Sequence, residues 1–200
     1  MKKLLQLKSS LFTNHGQSSQ LSDKFVAGLK AKHPAAEITT RDLAADPVPH
    51  LDGATFQAFI TKPEERSEDQ QACVNFSDGL IDELKAADVL VIGLPMYNLG
   101  VPSTLKAYFD HVARAGVTFR YTENGPKGLL ENKKVYVLAT RGGVYAGSSF
   151  DTQSDYVRNF LGFIGITDVE FIYAEGLNMG DESRNGALAA ANAQINQIVA

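Results

Sequence analysis

The sequence predicts an α/β protein in which five parallel strands form one open sheet with helices on both faces. Segments with strand-like and helical patterns alternate along the chain, as they do in a sheet wound on both faces. The most hydrophobic run, residues 89–94, reads VLVIGL, which is typical of a central parallel strand buried on both faces. With 200 residues the chain is shorter than the roughly 250 residues of an eight-unit barrel. We therefore predict an open sheet with the strand order 2-1-3-4-5.

The first half of the chain supplies two of these strands. Apolar residues at helical spacing follow the first strand, and we expect Ser18 or Ser19 to cap that helix. A proline at residue 34 ends it. The predicted elements, in chain order, are a strand at residues 2–8, a helix that ends near residue 32, a strand at 37–43, a short helical patch at 56–60 and a charged surface segment at 62–66.

The second half supplies the other three strands. Pro102 suits the first turn of a helix, and Asn124-Gly125-Pro126 predicts a turn within a hairpin-like excursion. The predicted elements, in chain order, are a helix at residues 73–84, a strand at 89–94, a helix from 102, the excursion at 117–128, a strand at 135–140, a helix at 156–164, a strand at 169–174 and a terminal helix at 188–198.

Composition excludes several classes of protein. Nineteen Lys and Arg stand against 23 Asp and Glu, a net charge of −4, which argues against a general nucleic-acid binder. The single cysteine, Cys73, excludes a disulfide framework and a cysteine-ligated zinc site. No apolar run reaches the roughly 18 residues that span a bilayer, and the amino terminus lacks the apolar region of a signal peptide. We predict one cytoplasmic domain over residues 1–200, with no nucleic-acid or membrane partner.

Ligands of such a sheet lie beyond the carboxyl ends of its strands, and the loop after the first strand is rich in hydroxyl groups there. Ser9-Ser10 and then Gly16-Gln17-Ser18-Ser19 lead into the first helix. Neither the glycine fingerprint of dinucleotide-binding folds nor a P-loop is present. Backbone N–H groups, the helix dipole and serine hydroxyls together suit a monophosphate. Helix capping beside a polar loop explains the same residues equally well.

The loops after the third and fourth strands contain residues that suit a flat ligand. Residues 94–102 read LPMYNLGVP, with apolar, aromatic and amide groups side by side. Residues 140–143 read TRGG, and paired glycines let the backbone approach a ligand closely. A phosphate end, an amide with apolar walls and a glycine-lined edge together predict a site for flavin mononucleotide, FMN.

Longer motifs carry a specific resemblance. They are PMYN at residues 95–98, ARAGVTFRYTENGP at 113–126, RGG at 141–143 and FLGFIGITD at 160–168. The chain resembles the FMN-dependent NADH-azoreductase family over residues 8–176. The resemblance implies a flavodoxin-like fold, a homodimer with its active sites at the subunit interface, and NADH as the electron donor. It also implies that quinones and aromatic azo compounds are the substrates.

Matching positions imply the roles of individual residues. The resemblance implies that Ser10, Gln17 and Ser18 contact the FMN phosphate, with Gly16 in the same cofactor-binding loop. Contacts to the isoalloxazine ring fall to Pro95, Met96, Tyr97, Asn98, Leu99, Thr140, Arg141, Gly142 and Gly143. The substrate side falls to Tyr121 and Phe163. The chain departs from the family at Leu99, where relatives often carry an aromatic residue, and matches least well at residues 62–70 and 144–150.

The resemblance also implies that the flavin performs the redox chemistry, so we predict no catalytic acid or base among the side chains. NADH and the acceptor are expected to use the same face in turn, which predicts ping-pong kinetics. The alternative is a flavodoxin-like electron carrier or flavin-binding regulator without substrate turnover. Carriers usually have strongly acidic surfaces, whereas −4 over 200 residues is modest.

The remaining reactive side chains suggest no further chemistry. None of the four histidines has the spacing of a metal-binding motif, so we predict no metal. We expect His15 to lie at the surface, His111 to lie on a polar helix face, and Cys73 to pack in the interior.

Overall fold

A computed structural model describes residues 1–200 and contains one five-stranded parallel sheet and one small hairpin. The parallel sheet has the order β2-β1-β3-β6-β7, and β4 and β5 pair antiparallel. The strands are β1 Lys3–Lys8, β2 Glu37–Asp42, β3 Val89–Pro95, β4 Phe119–Thr122, β5 Gly125–Gly128, β6 Lys134–Thr140 and β7 Asp168–Ala174. The helices are α1 Gln17–Lys32, α2 Gly53–Ile60, α3 Glu68–Ala86, α4 Ser103–Val112, α5 Thr152–Phe163 and α6 Asp181–Val199.

The predicted open α/β sheet of five parallel strands is confirmed. Numbered along the whole chain, its order is not written 2-1-3-4-5. The difference arises because the hairpin β4–β5 lies in sequence between the third and fourth strands of the sheet.

The core is divided by the sheet. Alternate strand residues point to opposite faces, so Leu90 and Ile92 of β3 join one apolar cluster and Val91 joins the other. The larger cluster lies under α3, α4 and α5, with Leu80 and Phe109 among its buried residues. The smaller lies under α1 and α6. Burial on both faces explains why β3 is apolar at nearly every position.

Helices begin earlier than the apolar periodicity predicted. The helix predicted from residue 73 begins at Glu68, where Ser67 and Gln70 form a capping box. The helix predicted from residue 156 begins at Thr152, after the Asp151 cap. Polar first turns are stabilised by their caps, and a pattern of apolar residues does not register them.

Two predictions about buried side chains were wrong. His111 was expected on a polar face, yet it is only 3% exposed, because Phe59 of α2 and Phe76 of α3 pack edge-on against its ring. Cys73 was expected in the interior but is only partly buried, since the buried face of α3 runs through Val74 and Ser77. His15 lies at the surface, as expected.

No helix of the structure is both long and apolar enough to cross a membrane.

Candidate cofactor-binding site

A cavity of about 240 Å³ lies at the carboxyl ends of β1, β3 and β6. Parallel register puts the carboxyl-terminal parts of these strands side by side, with Lys8 opposite Gly93 and Pro95 opposite Thr140. The loops that follow therefore meet at one edge of the sheet. Ten residues predicted for cofactor binding line the cavity: Ser10, Gly16, Gln17, Ser18, Pro95, Met96, Tyr97, Thr140, Arg141 and Gly142.

The first turn of α1 forms one end of the cavity. Neither Ser18 nor Ser19 caps the helix, contrary to prediction; Gly16 occupies the cap position and offers no side chain. Both serine hydroxyls are buried without a hydrogen-bond partner, and Ser18 lines the cavity. Uncapped N–H groups at a helix start carry a partial positive charge. This end of the cavity therefore fits a phosphate group.

Close packing at Gly16 shapes the same end. A Cβ atom at Gly16 would overlap the side chain of Ser10. The absence of that atom lets the β1 loop fold tightly against the start of α1. The hydroxyl of Ser10 also accepts the Phe12 N–H at 3.2 Å.

Tyr97 connects the loops after β1 and β3. Its hydroxyl accepts the Leu11 N–H at 3.2 Å and lies 3.4 Å from the Ser10 hydroxyl. The Tyr97 ring thus extends from the β3 loop toward the phosphate-like end. A ligand in the cavity would contact both loops at once.

The β3 loop contains a tight two-residue turn. Tyr97 and Gly100 exchange backbone hydrogen bonds of 3.2 and 3.0 Å, and Asn98 and Leu99 between them have φ of 51° and 64°. This left-handed pair is the geometry that favours Asn-Gly, so a leucine here is strained. Asn98 and Leu99 were predicted to contact the ring, but neither is among the residues that line the cavity.

Arg141, at the end of β6, has a buried guanidinium. Its Nη2 lies 2.8 Å from Asp151 and its Nη1 lies 3.0 Å from Glu175, and the side chain is fully buried. Burial raises the pKa of Asp151, but hydrogen bonds from Arg141 and Ser154 outweigh it, so that pKa lies below its usual range. Nη1 and Nη2 are thus paired within the chain, whereas Nε is buried without a partner.

The loop after β7 supplies residues that the sequence reasoning missed. The Asn178 N–H donates to the Gly142 carbonyl at 3.0 Å, and a Cβ at Gly142 would lie 2.6 Å from the Asn178 amide nitrogen. Gly143, a predicted ring contact, lies outside the lining and pairs with Gly176. The unpredicted lining residues are Phe12, Leu177, Asn178 and Arg184. Arg184 has no ion pair within the chain, so its charge is available to an anion. Sequence reasoning missed it because the last helix, predicted from residue 188, begins at Asp181.

The two residues predicted for the substrate side lie apart from this cavity. Phe119 packs against Phe163 with ring centroids 4.2 Å apart, and against Tyr121 at 5.5 Å. Tyr121 is 74% exposed and borders a different cavity of about 450 Å³, beside α2. Within one chain, therefore, Tyr121 and Phe163 are not brought to the cofactor cavity.

No group of three or more His, Cys, Asp or Glu side chains is arranged to hold a metal ion.

Comparison with known proteins shows which family the chain belongs to. A family model described as a flavodoxin-like fold matches residues 2–199. An FMN-dependent NADH:quinone oxidoreductase of Alcanivorax borkumensis is 59% identical over 96% of this chain and 97% of its own. A protein of the same name from Cellvibrio japonicus is 55% identical over the full length of both chains.

Solved structures agree. The crystal structure of an azoreductase from Bacillus anthracis superposes with a TM-score of 0.91 at 28% identity, covering 100% of this chain and 99% of that one. These likenesses confirm the resemblance found in the sequence motifs. The chain belongs to the flavodoxin-like family that includes the FMN-dependent NADH:quinone oxidoreductases.

Proposed function

We propose that the protein is an FMN-dependent oxidoreductase that uses NADH to reduce quinones and aromatic azo compounds. The observation that carries the proposal is the uncapped first turn of α1, where Ser18 lines the cavity and its buried hydroxyl has no hydrogen-bond partner. Buried hydroxyls are normally hydrogen-bonded, so this one indicates a ligand with acceptor oxygens. The names of relatives at 59% and 55% identity supply the donor and acceptor classes.

Polar groups of the chain are placed to bind the phosphate at one end of the cavity. Ser10, Gln17 and Ser18 would bind the FMN phosphate through hydroxyl and backbone N–H groups, and Arg184 would add a positive charge at the rim. Charge-assisted hydrogen bonds of this type are stronger than neutral ones. A phosphate monoester is thereby favoured over a neutral alcohol.

The loops after β3 and β6 are placed to contact the flavin ring at the other end of the cavity. Pro95, Met96 and Tyr97 would form an apolar wall, and the N–H groups near Gly142 would face the polar ring edge. We place Asn98, Leu99, Thr140, Arg141 and Gly143 around the same ring. Bound FMN supplies two-electron transfer between donor and acceptor, and the protein orients it.

The substrate side is proposed to form between two copies of the chain. Tyr121 is 74% exposed, and Phe163 packs beneath the same hairpin through Phe119. We propose a cytoplasmic homodimer in which each copy, residues 1–200, is one FMN-binding domain. Sedimentation equilibrium should give twice the chain mass of 21.6 kDa, and a monomer at working concentrations would contradict the dimer.

The function is tested with an anaerobic absorbance experiment. We expect purified protein to bind added FMN, to lose the oxidised flavin absorbance on addition of NADH, and to regain it on addition of a benzoquinone. FMN binding without bleaching by NADH would favour an electron carrier without turnover. A protein that binds no FMN would overturn the proposal.

The order of the reaction is tested by steady-state kinetics. If NADH and acceptor occupy one face in turn, double-reciprocal plots at several acceptor concentrations are parallel. Intersecting plots would show that both are bound at once and would exclude the ping-pong scheme.

A further inference from the structure

The start of α5 holds both loops that we assign to the flavin ring. We name residues 151–154 the cap segment; all four of its side chains reach a ring-end loop. The Asp151 carboxylate and the Ser154 hydroxyl each accept from Arg141 Nη2 at 2.8 Å. Thr152 and Gln153 donate to the β3 loop instead. Four consecutive residues therefore join the β3 loop to the end of β6.

The contacts of the cap segment converge on the strained turn. Thr152 Oγ1 donates to the Leu99 carbonyl at 2.6 Å. The Gln153 amide donates to the Pro95 carbonyl at 2.9 Å and the Gly100 carbonyl at 2.8 Å. Pro95 and Gly100 lie on opposite sides of the turn, so one amide group holds both sides, in addition to the backbone hydrogen bonds between Tyr97 and Gly100.

The burial and hydrogen bonding of Gln153 indicate that its role is to hold the turn of the β3 loop. Gln153 is 1% exposed, and its Oε1 atom is buried without a hydrogen-bond partner. A buried amide with an unpaired oxygen is costly compared with an apolar side chain of similar shape. Both N–H donors, by contrast, are used on the turn.

We propose that Thr152 and Gln153 are positioning residues for the flavin ring. They hold Asn98 and Leu99 in the left-handed conformation, and this fixes the position of Tyr97, which lines the cavity. The proposal rests on the proposed function, since it requires that a flavin occupies the cavity. The hydrogen bonds that a protein offers to the ring edge tune the electronics of a flavin.

The test separates the ring end from the phosphate end with two ligands. Riboflavin has the ring of FMN but no phosphate, so its affinity reports the ring end. The variants are Thr152→Val, which removes the hydroxyl from an exposed residue, and Gln153→Met, which removes both donors. Thr152→Ser restores the hydroxyl. Thr61→Val is the matched control, because Thr61 Oγ1 also donates to a carbonyl, that of Gln57, at 2.7 Å.

Flavin-free protein is titrated with FMN and with riboflavin by fluorescence quenching, and the midpoint potential of the bound flavin is measured. We expect Thr152→Val and Gln153→Met to lower the affinity for FMN and for riboflavin by the same factor, about threefold to tenfold. Both variants should also shift the midpoint potential of the bound flavin. Thr152→Ser and Thr61→Val should behave as wild type. Denaturant unfolding checks that each variant is folded, and Thr152→Val alone suffices if Gln153→Met does not fold.

Two results would overturn the proposal, and they are distinguishable. Wild-type affinities and potential in Thr152→Val would show that the contact is structural only, with the proposed function intact. A wild-type protein that binds neither flavin would overturn the proposed function and the positioning role together.

Discussion

The two ends of the cavity differ in how many of their buried polar groups are hydrogen-bonded within the chain. At the phosphate end, the Ser18 and Ser19 hydroxyls are buried without partners and α1 has no side-chain cap. At the ring end, Arg141 Nη1 and Nη2 and Gln153 Nε2 donate hydrogen bonds within the chain, whereas Arg141 Nε and Gln153 Oε1 have no partner. Of the two unpaired serines only Ser18 lines the cavity, so Ser18 is the one that a ligand can reach, whereas Arg141 and Gln153 hold the loops around it. Variants at each end should therefore separate ligand binding from stability.

The largest effect is expected from Arg141→Met. Removing the guanidinium takes the cationic partner away from the largely buried carboxylates of Asp151 and Glu175, which should lower the free energy of unfolding by about 3–5 kcal/mol. The control is Arg158→Met, because Arg158 lies 4.4 Å from the Phe171 ring on an exposed helix face. That change should cost about 1 kcal/mol or less. Equal losses in urea unfolding would contradict the assigned role of the ring-end ion pairs.

Ser18→Ala should act on binding and not on stability. Loss of a hydroxyl that meets a charged phosphate should weaken FMN by about tenfold to a hundredfold, with riboflavin unaffected. The flavin-free protein should not be destabilised, because an unpaired buried hydroxyl is removed. Ser22→Ala is the control: its hydroxyl donates to the Ser19 carbonyl at 2.8 Å, so the variant should lose stability without losing FMN affinity. The reverse pattern would refute the phosphate site.

His111 shows what an unpartnered polar group does outside the cavity. Neither ring nitrogen has a hydrogen-bond partner, and burial lowers the pKa of His111 below its ordinary 6.5, which the nearby Pro49 carbonyl and Asp110 only partly oppose. The unfolded chain therefore binds more protons, and stability present above about pH 6.5 is lost as the pH falls, by up to about 1.4 kcal/mol per unit.

Urea unfolding at several pH values between 7.5 and 5 tests this behaviour. His111→Phe should flatten the profile over this range, whereas a variant of the exposed His50, His50→Gln, should keep the wild-type slope. A wild-type slope in His111→Phe would place the titrating group elsewhere. Added FMN should not change the pH dependence of stability, because His111 lies outside the cavity lining.

The smallest effect is expected from Leu99→Gly. Glycine adopts φ of 64° without strain, but it also gains more freedom in the unfolded chain, so flavin-free protein should gain about 0.5 kcal/mol. Asn132→Gly, at φ of 60°, is the control, and its gain should be smaller because asparagine tolerates this conformation. A loss of stability in Leu99→Gly would show that the leucine side chain stabilises the turn more than its backbone strains it.

The parts of the site that could be predicted are those encoded locally. Ser10, Gly16 and Ser18 follow one strand, and Pro95 and Met96 follow another; the rule that ligands lie at carboxyl ends brings them together. Asn178, Arg184 and the cap segment of α5 could not be placed this way. Their contacts depend on how the β7 loop and α5 pack over the end of β6, which no spacing along the chain records.

The sequence by itself determined the sheet of five parallel strands, because apolar periodicity follows the chain. Its motifs, through their resemblance to a known family, also determined the family and ten of the residues that line the cavity. The tertiary structure decided the environment of the remaining groups. His111 is buried because Phe59 of α2 and Phe76 of α3 pack against its ring. Arg141 is paired with Asp151 and Glu175 because three separate loops converge on it. Burial and pairing are properties of neighbours in space, and a residue's own position in the sequence does not specify them.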